Sequence, residues 1–282
     1  MVRKAFLIII IIFFILLTSS CFIIYTAFVY DSDIEERRLE MYNFTLLDTF
    51  PELDTKNAGY SFLLISDTHI TDGKTDGLER LPGIIEDFNT NNTPEIKFAL
   101  ILGDITESAS NSNLNVYINI ANELADKGIP FYPLLGNHDL IGDGWKNWKN
   151  KIGSTNYRIY DKSNNATLII LDSASIYFGQ EQLDWLEREL KKDLTRDVFV
   201  FSHVPLFAPG LFQQIEMNER ARMVSILQNK CDVFFAGHIH ERRNQRSGNV
   251  DFVNIDSYRD NRSYCIVSVT DTGKISYTWG KF

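Results

Sequence analysis

The 282-residue chain holds only three cysteines, too few for a disulfide framework. Cys21 falls in an apolar N-terminal run. Cys231 and Cys265 lie in strand-like apolar stretches and read as buried thiols acting as small hydrophobes, although spacing alone leaves a single bridge between them open. Positive charge is also short: 28 Lys and Arg stand against 37 Asp and Glu, for a formal net charge of −9. Such a surface repels nucleic-acid backbones, which argues against a nucleic-acid partner. It also repels phosphorylated substrates unless bound cations reverse the field locally. No internal repeat and no low-complexity linker occurs after Gly59. With 44% hydrophobic residues and 20 phenylalanines the chain can supply a sizeable core, so disorder is excluded as its general state.

The N-terminus carries Arg3 and Lys4 followed by an apolar run from Ala5 to Tyr30. At about 1.5 Å per residue this run spans about 39 Å, enough to cross a hydrocarbon core of ~30 Å. A cleaved signal peptide would end its apolar region at Leu17 with Ser20 at the cut, but Phe22 to Val29 resumes the apolar run, which favours an anchor. A lipoprotein site at Cys21 is weaker, because Thr18 stands where a bulky aliphatic residue is usual. The basic residues before the run and the acidic Asp31-Ser32-Asp33-Ile34-Glu35-Glu36 after it send the remainder outward, giving a single-pass cell-membrane protein with an extracytoplasmic domain, or a secreted one after cleavage. Residues 1–30 are thus expected as the anchor, 31–59 as a juxtamembrane stalk or wrapping arm, and 60–282 as the functional domain.

From Tyr60 a theme repeats: a short apolar run ends in a small polar loop, and a helical stretch usually follows. Strands are expected at Tyr60–Ser66, Phe98–Leu102, Pro130–Leu135, Thr167–Leu171, Val198–Ser202 and Cys231–Ala236. Helices are expected at Gly77–Asn89, Leu114–Lys127, Gln180–Asp193 and Asn218–Asn229; in the third, Leu183, Leu186 and Leu190 form one apolar stripe. Val250–Ile255, Tyr264–Thr270 and Lys274–Trp279 read as strands without intervening helices, an antiparallel extension of an α/β domain.

Histidine is also scarce, with five in the chain, and none stands in an unrelated context. They occupy Asp67-Thr68-His69, Gly136-Asn137-His138-Asp139, Ser202-His203-Val204-Pro205 and Gly237-His238-Ile239-His240. A fifth block, Gly103-Asp104-Ile105-Thr106-Glu107, offers carboxylates. Each block follows a strand-like run, and the carboxyl ends of strands are where loops distant in sequence converge on a ligand. Asp67, His69, Asp104, Asn137, His203, His238 and His240 supply two carboxylates, one amide oxygen and four imidazoles, with no thiolate. That set suits Mn, Fe or Zn ions of borderline character. Seven ligands are too many for one ion with a vacancy and about right for two, and a pair of ions ~3.5–4 Å apart promotes in-line attack on phosphorus.

In order and interval these blocks resemble the calcineurin-like metallophosphoesterase superfamily, from residue 60 to about 256. The resemblance implies two mixed β-sheets packed as a sandwich flanked by helices, a four-layer αββα fold, preceded here by the N-terminal transmembrane helix. It implies that Asp67, His69 and His240 bind one ion, Asn137, His203 and His238 a second, and that Asp104 bridges them. His138 would face the substrate, offset charge on the phosphoryl group and protonate the leaving oxygen, with Glu107 orienting it. Purple acid phosphatases carry a tyrosine ligand where this chain has Glu107, which disfavours that branch. The implied activity is hydrolysis of phosphomonoesters or phosphodiesters by a hydroxide shared between the ions. The substrate would be a small phosphorylated molecule or a lipid-linked phosphate. The rival from another class is a non-catalytic scaffold of the same fold, which would be expected to have lost ligands or His138. Asp139, Arg259, Arg262, Trp145, Trp148 and the segment Pro205–Gln214 are secondary candidates near the site; each also has an ordinary role as cap, surface charge, core or loop anchor.

Overall fold

The computed structural model describes residues 34–42, 59–161, 165–192, 196–208 and 215–282. Eleven strands among them form two sheets. The first has the order β11 (Ile275–Lys281), β10 (Ser263–Val269), β1 (Tyr60–Ile65), β2 (Ile96–Ile101), β3 (Phe131–Pro133). The second runs β4 (Tyr157–Asp161), β5 (Ala166–Ile170), β6 (Asp197–Phe201), β7 (Val233–Ala236), β9 (Val250–Asn254), β8 (Arg243–Ser247). The runs β1–β2–β3 and β5–β6–β7–β9 are parallel, while β10, β11, β4 and β8 join antiparallel.

Successive side chains on a strand point to opposite faces, and both faces of the central strands are buried, which explains their continuous apolar text. On β1, Tyr60, Phe62 and Leu64 enter the layer between the sheets, while Leu63 and Ile65 pack toward the helices. On β6, Phe199 and Phe201 meet them from the other sheet, and Val198 and Val200 face outward. The inter-sheet layer is aromatic: Phe62 stacks on Phe98 at 5.0 Å and meets Phe199 edge-on at 5.3 Å. One outer layer contains α2 (Leu81–Asn91), α3 (Asn111–Asp126) and α4 (Gly144–Lys151). The other contains α5 (Gln180–Glu189), whose Leu183 and Leu186, with the C-cap Leu190, are buried as the stripe predicts, and α6 (Met217–Leu227). This is the expected two-sheet sandwich between helices.

Several elements depart from expectation for identifiable reasons. β8 is polar and exposed along its length, so it carried no hydrophobic signal. β9 pairs in parallel with β7 rather than extending the antiparallel group of β10 and β11. Trp145 and Trp148 lie on α4 within the helical core layer, so neither walls the site. Cys231 and Cys265 are free, buried and in different layers.

The expected anchor lies in residues 1–30, outside the described residues; among those described, no helix is long and apolar enough to cross a membrane. Within the expected stalk, α1 (Ile34–Tyr42) docks on the domain. Ile34 is buried, and its N–H donates to the Tyr177 hydroxyl at 3.3 Å. Arg37 is fully buried, with Nε 2.9 Å and Nη2 2.7 Å from the Asp172 oxygens and Nη1 3.1 Å from Ser175 Oγ. This part of the segment behaves as the wrapping arm. Cutting a buried pair from one side leaves an uncompensated charge, so Arg37→Ala is expected to lower unfolding free energy by about 3–5 kcal/mol. Urea titration of the domain measures it, and a loss below ~1 kcal/mol would mean the helix is not docked in solution.

Candidate metal centre

The five blocks fall on loops leaving the carboxyl ends of β1, β2, β3, β6 and β7, and the sandwich brings those ends together. Hydrogen bonding continues past the strand ends: Asp67 N–H donates to Gly103 O (3.1 Å), His69 N–H to Asp104 O (2.9 Å) and Ile70 N–H to Ile105 O (2.9 Å). Asp139 locks a third loop to these. Its carboxylate accepts from the N–H groups of Gly136 (3.0 Å), Ile105 (3.1 Å) and Thr106 (2.8 Å) and from Thr106 Oγ1 (2.8 Å). Burial, then the charge of Asp104, pushes the Asp139 pKa up to about 7. Asp139 is thus both a turn cap and a clamp across two loops of the site.

The local backbone is unusual where the chemistry sits. Asp67, His69, Asp104, His238 and His240 all have positive φ, between 46° and 70°. Asp and His tolerate that region better than most residues, yet a non-glycine residue in a sparsely populated region costs about 1–3 kcal/mol, and such strain clusters at functional sites. Gly136 is required by close approach: a Cβ there would lie 1.9 Å from the Asp104 backbone nitrogen.

The side chains converge into two adjoining groups. In one, the ligand atoms of Asp67, His69 and His240 lie within 4.8 Å of one another, with His240 Nε2 3.4 Å from Asp67 Oδ1. In the other, His203 Nε2 is 3.0 Å from Asn137 Oδ1, 3.2 Å from His238 Nδ1 and 3.4 Å from Asp104 Oδ1. The second oxygen of Asp104 lies 3.6 Å from His69 Nε2, so this one carboxylate faces both groups. Ligands at ~2.1 Å from an ion and at right angles to each other stand ~3.0 Å apart, close to these separations. His69 Nε2 is buried without a hydrogen-bond partner, while its Nδ1 bonds Glu107 Oε2 at 2.8 Å. An orphaned imidazole nitrogen aimed at a carboxylate cluster is what an absent cation would leave, so the residues fit a metal pair.

The ionisation of the metal-free site is uneven. Burial, then repulsion from His203, lowers His238 to about 4, and burial holds His69 below the usual histidine range. Burial also opposes charge on His203, but Asp104 outweighs it and raises that imidazole to about 9. A hydrogen bond to Asp67 leads in raising His240 to about 8. Burial would raise the pKa of Asp104, yet His203 and His69 overcome it and hold the carboxyl well below its ordinary range. A cation entering the site would compete with protons on His203 and His240, the two imidazoles held above their ordinary range.

His138 is partly exposed, its N–H donates to Asp104 Oδ1 at 2.8 Å, and its ring packs edge-on against His69 at 4.6 Å. Glu107 divides its carboxylate: Oε2 takes the His69 bond and Oε1 lies 3.3 Å from His138 Nδ1. Sequence reasoning missed Asp260, whose Oδ2 lies 2.5 Å from His240 Nδ1, and Ser66, whose hydroxyl donates to Asp67 Oδ2 at 2.5 Å. It also missed the Leu102 carbonyl that fixes His203 through Nδ1 at 2.8 Å. None has a sequence signal, since each is an ordinary residue made relevant by the loop it meets. Arg262 bonds Asp76 and stacks on Tyr258, away from the cluster. Phe207 of the Pro205–Gln214 segment meets Phe252 edge-on on the outer face of the second sheet, and residues 209–214 lie outside the described residues.

The comparisons with known proteins agree with this geometry. The chain is 28% identical over 190 residues to a "Probable cyclic nucleotide phosphodiesterase" of Fibrobacter succinogenes, covering 62% of this chain and 71% of that one. It is 28% identical over 202 residues to the "Probable glycerophosphodiester phosphodiesterase GpdQ" of Arcobacter nitrofigilis, covering 62% and 70%. Among solved structures, a dimetal phosphatase from Danio rerio shares the fold at a TM-score of 0.58 and 13% identity, over 78% of this chain and 99% of that one. The family model for calcineurin-like phosphoesterases matches residues 60–242, the segment that contains every candidate ligand of the cluster, and the chain belongs to that family of metal-dependent phosphoesterases.

Proposed function

We propose that the protein is a dinuclear phosphohydrolase acting on phosphodiesters. Asp67, His69 and His240 hold one ion, Asn137, His203 and His238 the other, and Asp104 both. The observation that carries this reading is the placement of Asp104, one carboxylate facing two ligand groups from a single loop. Two divalent ions there, of Mn, Fe or Zn type given the mixed N and O donors, supply Lewis-acid charge and a lowered pKa for coordinated water. The chain's own residues do the rest. His138, anchored through its N–H to Asp104, presents a partly exposed imidazole beside the two ligand groups, where it would neutralise charge on the phosphoryl oxygens and give a proton to the departing oxygen. Glu107 lies beside both His69 and His138, so one carboxylate sets the ring of a ligand and that of the acid.

The phosphodiesterase names of both relatives favour diesters over monoesters. The acidic surface is tolerable for such a substrate because the charge at the site is supplied by cations. The apolar run before Asp31 is read as a membrane anchor that exposes the domain outside the cell, with small or lipid-linked phosphoesters as substrates. Turnover of bis-p-nitrophenyl phosphate with added Mn²⁺ is expected to exceed that of p-nitrophenyl phosphate. The reverse preference would assign the site to monoesters.

A further inference from the structure

We infer that Arg259 is the positioning residue of the Asp67–His69–His240 ion site, an inference that rests on the dinuclear reading above. Arg259 lies beyond the stretch matched by the family model, on the four-residue helix α7 (Tyr258–Asn261) that follows β9. Three of its bonds run to that one site. Its backbone N–H donates to Asp67 O at 3.1 Å. Its Nη1 lies 3.3 Å from Glu107 Oε2, the same oxygen that bonds His69 Nδ1 at 2.8 Å. Its Nε lies 3.2 Å from Asp260 Oδ1, on the carboxylate whose other oxygen bonds His240 Nδ1. Each of the three proposed ligands is therefore joined to residue 259, Asp67 through its own carbonyl, His69 through Glu107 and His240 through Asp260. No equivalent link runs from Arg259 to Asn137, His203 or His238 among the described residues.

A solvated surface arginine would leave its guanidinium in water. Here two edges of a rigid fork are spent on two carboxylates that a lysine ammonium would not bridge in the same geometry. The ion pairs themselves are too exposed to matter for stability, with Arg259, Glu107 and Asp260 side chains each more than 40% exposed. Their consequence is orientation: they fix the outer nitrogen of each imidazole, and with it the direction of the inner one.

Two effects oppose each other when Arg259 is removed. Loss of a nearby positive charge favours cation binding, and loss of orientation disfavours it. The charge is half-exposed and acts through solvent-screened distance. Direct outer partners of metal ligands typically hold 10–100-fold in affinity; Arg259 acts one residue further out, through Glu107 and Asp260, so its orienting effect lies near the lower end of that range and still wins.

The test is a Mn²⁺ titration of the metal-stripped chain by calorimetry, comparing wild type, Arg259→Ala, Arg259→Lys and His240→Ala. Wild type is expected to bind two ions. Arg259→Ala, which keeps the backbone bond to Asp67, should weaken by up to about 10-fold the same class of site that His240→Ala removes, leave the other class unchanged, and recover turnover at high Mn²⁺; Arg259→Lys should recover affinity only in part. Unchanged or tighter binding in Arg259→Ala would overturn the inference. So would a raised KM that extra Mn²⁺ does not correct, which marks direct contact with substrate. Wild type binding fewer than two ions would overturn the dinuclear reading itself.

Discussion

Replacing Asp104 with Asn is expected to leave a folded chain that retains less than one ion after gel filtration. Asp104 is buried, and its two oxygens face His203 Nε2 and His69 Nε2 at 3.4 and 3.6 Å. Asparagine keeps the shape and an acceptor for the His138 N–H but withdraws the charge that both ligand groups share. An outer partner of a ligand is worth 10–100-fold in affinity. A shared inner carboxylate should cost more than that at each site, so both ions leave at micromolar metal. Asp104→Ala would add the cost of an unpaired buried His138 N–H, about 1–3 kcal/mol, which makes Asn the cleaner variant. Metal content by mass spectrometry decides the matter. Retention of two tightly held ions in Asp104→Asn would show that this carboxylate does not join them.

His138→Ala should do the opposite: metal content unchanged, turnover down by about 10²–10⁴-fold, or roughly 2.7–5.5 kcal/mol of barrier. The imidazole is not needed to hold Asp104, because the bond between them comes from the backbone N–H, which alanine retains. The loss should also depend on the leaving group. A nitrophenolate departs readily without a proton, whereas an alkoxide does not, so an alkyl diester should suffer more than bis-p-nitrophenyl phosphate. An equal loss on both would restrict His138 to charge stabilisation. Loss of metal would make it a ligand, a role its closeness to His69 and Asp104 leaves geometrically open.

The residues that converge were legible in the sequence because each loop repeats one grammar, an apolar strand followed by Gly, Asp, Asn or His in a tight turn. The physical basis is visible in the fold: a turn must leave the strand at once to aim its side chain across the edge, and the left-handed φ of Asp67, His69, Asp104, His238 and His240 does this. The central strands were legible because burial on both faces leaves only apolar text. β8 was not, since Arg243–Ser247 is exposed and is a strand only by pairing with β9. Asp260 was not assigned, and Arg259 was named only as a secondary candidate, because their contacts to His240 and Glu107 depend on how α7 is carried back to β1, where Tyr258 N–H meets Ser66 O at 2.8 Å. Long-range return of a loop leaves no local pattern. The docking of Arg37 is illegible for the same reason, its partner being 135 positions away.

The central claim is that these loops hold two ions whose presence makes the chain a phosphodiesterase. Stripping the protein with a chelator and returning Mn²⁺ in steps, while following bis-p-nitrophenyl phosphate hydrolysis, tests it most directly. The account predicts that activity vanishes on stripping and returns in full only as the second equivalent binds. Hydrolysis that survives complete metal removal, or two bound equivalents with no hydrolysis of any phosphodiester, would contradict it.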